Sequence, residues 1–298
     1  MKRSKFLRNT GLTLAGLAFI NKNSLASFFA DPAWKIKMLS DEIGIFTEKG
    51  GTIAFCISKD GITVVDSQFP DTSLHLIEAL KKKTETPFSL LINTHHHGDH
   101  TSGNIAFKGM VKHVLAHENS KANQERVAKE QKKEDAQLYP DQIYSTTWCE
   151  KTGKENICLH YFGAGHTNGD SIVHFQNSNI IHLGDLVFNR RHPYIDKTSG
   201  ADISSWIKVL DKTIKTFDKK TRYICGHSGT GYDTIMKEDD LKAFAEYLDN
   251  LLKVVGQEIK AGKTQAEILQ LKEIPGSPEW KGDGIERPLK AAFQELAT

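Results

Sequence analysis

The 298-residue chain is 39% hydrophobic and 26% charged, which excludes wholesale disorder and suffices for one large domain or two small ones. Its 39 basic and 37 acidic residues give a formal charge of +2. Five of the basic residues and none of the acidic ones fall within positions 1–26, so the remainder holds 34 against 37, a net −3, and a nucleic-acid partner is not expected.

In the leading stretch, Lys2, Arg3, Lys5 and Arg8 precede an apolar run over 11–20, and "SLA" at 24–26 offers the small residues a signal peptidase reads. This pattern predicts a secretory signal peptide over 1–26, export to the periplasm and a mature domain over 27–298. The apolar run is too short for a permanent bilayer span, so no stable membrane insertion is expected after cleavage. An uncleaved amphipathic start is the alternative. "RSKFLR" also resembles a twin-arginine export signal with Ser4 in the second arginine's place, so both export routes stay open.

Residues 35–67 read as a meander of short strands broken by Gly-Gly and Asp-Gly turns. Residues 72–84 have helical spacing, with Leu74, Ile77 and Ala79/Leu80 on one face and lysines at the end that suits the helix dipole. "FSLLINT" (88–94) is a buried-type strand that runs into "HHHGDH". "VKHVLAH" is another strand, and the charged stretch from 118 is a polar, solvated helix. Cys149 and Cys158 flank a polar turn and could face each other across a hairpin; separate buried thiols are the alternative. Strands over "SIVHF", "NIIHLGDLVF" and "TRYICGH" alternate with helices over 202–217 and 238–262, an order that argues for α/β layers. The polar tail from about 263, with Pro275, Pro278 and Pro288, is expected to pack loosely over the body.

The stretch "NTHHHGDHTSG" places four histidines and an aspartate within six positions. A purification tag would be terminal and lack the aspartate, and a solvated histidine run would not end an apolar strand. Histidine and aspartate are borderline and hard donors, suited to zinc, iron or manganese. His95 and His97, two apart, share a side only in extended backbone, so the site belongs to a loop at a strand end. Gly98 frees the chain to turn, so that Asp99 and His100 project toward a second point. His96 should face away from the ligands. Downstream, "FGAGHTNGDS" with His166, "IIHLGDLVF" with Asp185 and "YICGHSG" with His227 each place a donor beside glycine near an apolar strand.

H-x-H-x-D-H, a lone histidine in G-H-T, an aspartate in L-G-D and a histidine in G-H-S, in that order, resemble the metallo-β-lactamase-fold superfamily over roughly residues 40–250. The resemblance implies a four-layer αβ/βα sandwich. It implies a first metal on His95, His97 and His166, a second on Asp99, His100 and His227, and Asp185 bridging them. Two cations would lower the pKa of a shared water toward neutrality and polarise the substrate, with Asp99 a candidate proton shuttle and Asp185 at the reacting centre. Arg190, Arg191 and His192 follow the Asp185 strand and could reach an anionic substrate or be simply solvated.

In the commonest zinc β-lactamases a cysteine stands at the position of Asp185 and position 100 is not histidine; another subclass keeps the histidine and lacks the aspartate. Both are present here, as in glyoxalase II thiolesterases and lactonases. The expectation is an exported binuclear zinc hydrolase, with iron or manganese as other metals, acting on an ester, lactone, thioester or amide of a small molecule. The alternatives are a class B β-lactamase, a mononuclear iron sulfur dioxygenase and a metal-binding module without catalysis.

Overall fold

The computed structural model describes residues 33–297, so the expected signal segment lies outside the described residues. Contacts gather residues from Ile36 onward into one compact unit. Its first half runs through strands Lys35–Met38 (β1), Ile43–Thr47 (β2), Ile53–Ser58 (β3) and Gly61–Val65 (β4), helix Pro70–Lys81 (α1) and strand Phe88–Asn93 (β5). A one-turn helix Gly98–Thr101 (α2), strand Val111–His117 (β6), helix Glu118–Gln131 (α3) and strand Gln142–Tyr144 (β7) follow. The second half holds Thr147–Thr152 (β8), Glu155–His160 (β9), Ile172–Phe175 (β10), Ile180–His182 (β11) and Phe188–Asn189 (β12), then helix Ile203–Thr216 (α4). It closes with Arg222–Ile224 (β13), His227–Ser228 (β14), Ile235–Met236 (β15) and helices Glu238–Lys260 (α5), Gln265–Ile268 (α6) and Glu286–Leu296 (α7).

One sheet orders β1 through β7 in sequence, antiparallel across β2–β3–β4 and parallel from β4 to β7. The other orders β15-β13-β11-β10-β9-β8, and a two-stranded parallel pair, β12-β14, stands apart. Strand period explains the layering. Ala54, Cys56, Leu90 and Ile92 of the first sheet meet Ile157, Leu159, Val173 and Phe175 of the second in one buried cluster. Ile181, Leu183 and Tyr223, on the second sheet's other face, pack on Trp206, Val209, Phe244 and Leu248 of α4 and α5. With α3 packed on β6 and β7 of the first sheet the result is helix, sheet, sheet, helix, the sandwich that the motif pattern implies.

Three local expectations need correction. The buried face of α1 is Thr72, Ser73, Leu76, Ile77 and Leu80, and Leu74 is 49% exposed. Leu74 and Leu76 lie two apart and cannot share one face of a helix, and Leu76 takes the core side. The helix α3 is polar on its buried face too. Gln124 Nε2 donates to Asn93 Oδ1 (3.3 Å), Asn123 Nδ2 to Asn168 Oδ1 (2.9 Å) and Arg126 Nη2 to Ser199 Oγ (2.8 Å), tying this helix to the loops that carry the site.

The tail from 263 is not loose. Ile268, Ile274, Trp280, Ile285, Leu289 and Ala292 are buried in the cluster shared with α4 and α5. Glu295 of α7 accepts from the Ile203 and Ser204 N–H groups (2.9 and 3.0 Å) at the start of α4 and from Lys197 Nζ (2.9 Å). Burial pushes the Glu295 carboxyl up, but those donors outweigh it and hold it below the ordinary value of 4.5. A carboxylate depressed in the folded state stabilises above its unfolded pKa, and that contribution vanishes as pH falls through the folded value. Glu295→Gln should therefore lower stability by about 1 kcal/mol at neutral pH. The gap to wild type should narrow as pH falls below the ordinary carboxyl value of 4.5 in paired thermal melts; an equal gap at neutral and acid pH would sink this reading.

Cys149 and Cys158 are directly opposed on β8 and β9 and joined as a disulfide, while Cys56 and Cys225 are buried free thiols. No helix among the described residues is long and apolar enough to cross a membrane.

Candidate metal centre

The apolar strand β5 delivers the histidine cluster, and its last residues and the turn after it are buried between the sheets. His97 keeps extended backbone (φ −63°, ψ 147°) and caps α2, whose first turn carries Asp99 and His100. Gly98 is the first residue of that turn and has no positive φ, so the turn is made by the start of a helix and needs no glycine freedom. His166 comes from the loop between β9 and β10, Asp185 from the short 3-10 turn after β11, and His227 opens β14.

All seven expected donors meet in two groups: His95, His97, His166 and Asp185 form one, and Asp99, His100 and His227 the other. His97 Nδ1 lies 3.1 Å from His95 Nε2 and 2.8 Å from His166 Nε2. His227 Nε2 is 3.0 Å from Asp99 Oδ2. Asp185 stands between the groups: its Oδ2 is 3.5 Å from both His166 Nε2 and His227 Nε2, and its Oδ1 is 3.2 Å from His100 Nε2.

Outer partners orient the rings. Thr94 donates from its N–H and Oγ1 to Asp66 (2.7 and 2.8 Å), so its hydroxyl oxygen can accept from His95 Nδ1, 3.1 Å away. The Nδ1–H of His166 meets the Tyr194 carbonyl at 2.7 Å, and that of His100 meets Asp66 Oδ2, also at 2.7 Å. His97 turns its Nε2–H to Asp196 Oδ2 at 3.0 Å. In each ring the opposite nitrogen is left facing the site, the arrangement that metal-ligating histidines show.

These residues fit a pair of divalent cations. His100 Nε2 and Asp185 Oδ1 are buried and face each other at 3.2 Å without an aligned hydrogen bond, a state that a cation would relieve. Burial, then the neighbouring imidazole His97, drives His166 down to about 3, and burial with His100 drives His95 well below its ordinary value. Both therefore stay neutral and able to donate lone pairs. Burial opposes ionisation of Asp185, yet His227 and His100 hold its carboxyl far below the usual range. Asp99, against the same burial, is held at about 2 by the His227 hydrogen bond and by His100. Burial pushes His100 down, but Asp185 and Asp66 raise it well above 6.5, so the centre favours positive charge.

A third group, His96, His97 and Asp196, also has ligand-like spacing. Its carboxylate is already engaged, because Asp196 Oδ1 accepts from Thr198 N (3.1 Å), Thr198 Oγ1 (2.5 Å) and Ser199 N (3.2 Å). Asp196 is better described as the anchor of His97. His96 faces Ser199 Oγ (3.1 Å), away from both donor groups, as expected from its place between two ligands. Asp66 and Asp196 are functional residues that the sequence reading misses. Asp66 directly follows the apolar strand β4, and its left-handed backbone (φ 65°) is one aspartate tolerates. Asp196 has no such mark. Asp196→Asn should weaken metal retention by about tenfold and Asp196→Ala by up to about a hundredfold, read by competition with a chelator. Wild-type retention in both variants would contradict the anchoring role.

Four of the donors, His97, Asp99, Asp185 and His227, line an open cavity of about 340 Å³ together with Phe188, Arg191, His192, Tyr194 and Arg287. Arg190, which could have reached substrate or been simply solvated, does not line it. Its guanidinium pairs with Asp240 (2.6 Å) and Glu279 (3.3 Å) and lies over Trp280. His192 reaches the cavity, with Nδ1 2.9 Å from the Tyr247 hydroxyl.

Comparison with known proteins agrees with this geometry. The family model of the Metallo-beta-lactamase superfamily matches residues 53–227, a span that includes all seven donors. Metallo-beta-lactamase IND-1 of Chryseobacterium indologenes is 24% identical over 190 residues, covering 62% of this chain and 75% of the relative. A metallo-beta-lactamase type 2 of Elizabethkingia meningoseptica is 22% identical over 236 residues, covering 76% and 89%. The solved metallo-beta-lactamase of Pontibacter korlensis superposes with a TM-score of 0.62 at 19% identity, covering 73% of this chain and 99% of its own. With its sandwich, its clustered donors and a family match over more than half its length, the chain belongs to the metallo-beta-lactamase superfamily and is a metal-dependent hydrolase.

Proposed function

We propose that the protein is an exported binuclear zinc hydrolase that opens an ester, lactone, thioester or amide bond in a small molecule. The observation that carries this reading is the convergence of seven donors in two groups about Asp185, with ring nitrogens already aimed inward. When bound, two cations would supply Lewis acidity and a water acidified toward neutral pH. His95, His97 and His166 would hold one, His100, His227 and Asp99 the other, and Asp185 would be shared. Asp66, Asp196 and the Tyr194 carbonyl keep the rings from turning, so the site needs little reorganisation. Asp99, 32% exposed at the cavity face, is placed to accept a proton at Oδ2 and return it to the leaving group. His227 Nε2 lies 3.0 Å from that oxygen, as the neighbouring donor of the same group.

Export is supported by the Cys149–Cys158 disulfide, since such bonds persist in oxidising compartments. Intact-mass measurement should give a mature chain beginning at Ser27. The names of the relatives favour a second reading, hydrolysis of β-lactams, which the paired presence of His100 and Asp185 makes the less efficient activity. A panel of neutral ester, thioester, lactone and chromogenic cephalosporin substrates, each with and without chelator, tests both. The hydrolase reading expects chelator-sensitive turnover of at least one acyl substrate beyond the cephalosporin. Metal binding without any turnover would leave a binding module, and oxygen uptake with a persulfide would replace hydrolysis by sulfur oxidation.

A further inference from the structure

His96 is the histidine of the motif that belongs to neither donor group, yet its side chain is 2% exposed against 17% for its neighbour His97. A buried imidazole needs partners for its ring nitrogens. His96 Nε2 lies 3.1 Å from Ser199 Oγ and 3.5 Å from Asp196 Oδ2. The same Asp196 oxygen is 3.0 Å from His97 Nε2, so two imidazoles of the motif converge on one carboxylate oxygen. A carboxylate beside Nε2 selects the tautomer that carries hydrogen there. His96 therefore donates toward Ser199 and Asp196, and its Nδ1 is the nitrogen left buried without a partner.

The arrangement is held from α3. Arg126 Nη2 donates to Ser199 Oγ at 2.8 Å, and its Nη1 pairs with Glu130. Ser199 is buried, and its N–H binds Asp196 Oδ1 at 3.2 Å. The donors from Thr198 and Ser199 fix Oδ1 alone, so His97 and His96 are what constrain Oδ2. On its other side the His96 ring lines a small open cavity of about 80 Å³, together with Thr101, Gln124, Gln131 and Gln137. Water that reached Oδ2 from there would compete with His97 for the carboxylate.

We propose that His96 is a positioning residue for His97: it shares Asp196 Oδ2, closes off the cavity behind it, and so keeps that carboxylate aimed at the His97 N–H. This rests on the binuclear reading of the centre and gives the remaining histidine of the motif a task.

The test titrates cobalt(II) into the metal-free mature protein, because the visible bands of cobalt report its ligand geometry. Wild type is compared with H96F, which keeps a ring and loses the N–H, and with H96Q, whose amide nitrogen reaches the place of Nε2. H96F should bind one of the two cobalt ions about tenfold more weakly and shift the bands of that ion. H96Q should restore most of both, and the metal-free proteins should melt together. H96M, which also lacks the donor, decides the matter if H96F does not fold. Wild-type bands and affinity in H96F, or a loss that H96Q shares in full, would overturn the positioning role. Wild type that takes up a single cobalt ion rejects the binuclear reading alone, since the variants are still compared at that ion; no uptake at all rejects both.

Discussion

Asp185→Asn should leave the protein folded, strip metal from the centre and lower kcat/KM by about a thousandfold or more. The substitution keeps the volume of the side chain, and the surrounding turn of residues 184–186 is held by its own backbone, with Gly226 N donating to the Gly184 carbonyl at 2.7 Å. What is lost is the one negative charge that faces His166, His227 and His100 together. An amide offers one weak acceptor and a clashing NH2 group in place of two anionic oxygens. Lewis-acid stabilisation of a transition state is worth several kcal/mol, and ~4 kcal/mol is a thousandfold in rate. Metal content, far-UV circular dichroism and turnover, measured on one preparation, separate the outcomes. A folded variant with wild-type metal and wild-type rate would remove Asp185 from the centre.

The second large effect comes from a residue with no side chain. A Cβ at Gly226 would fall 1.9 Å from Asp185 Oδ1 and 3.1 Å from His100 Cε1. The backbone there cannot retreat, because Thr52 N and Thr52 Oγ1 donate to the Gly226 carbonyl (2.9 and 3.1 Å) while its own N–H is bound to Gly184. Gly226→Ala should therefore displace Asp185, crowd His100 and destabilise the protein by about 1–3 kcal/mol through overpacking. Chelator competition should show both sites weakened, because Asp185 is shared between the two donor groups. Two normal sites, or unchanged stability, would mean that the contact relaxes and that this glycine does not shape the centre. Gly51 offers an internal check, as its Cβ would meet the His100 ring at 2.1 Å from the other side.

Much of the donor set was readable because each ligand sits at the end of an apolar strand beside glycine, a local mark. His95 and His97 in extended backbone, His96 turned away, and single donors at His166, Asp185 and His227 all follow from that mark. The partners that orient those ligands were less visible. Asp66 shares the strand-end position but has no glycine beside it; Asp196 lies in an irregular loop after Tyr194 and matters only because the fold brings it to His97. The tail misled for a similar reason. Its apolar residues, Ile274, Trp280, Ile285 and Leu289, are spread among prolines, glycines and charges, so no period shows, yet each finds the face of α4 and α5. Arg287 enters the cavity through that packing, which no local pattern near residue 287 announces. The buried face of α3 escaped because polar residues that hydrogen-bond to loops look, in sequence, like polar residues that face water.

Metal stoichiometry of the wild-type mature protein, expressed in zinc-supplied cells and analysed by elemental mass spectrometry, tests the central claim most directly. The arrangement of two donor groups sharing Asp185 predicts about two metals per chain, removable by chelator and restored by zinc. A properly folded, active protein that holds no metal would contradict it.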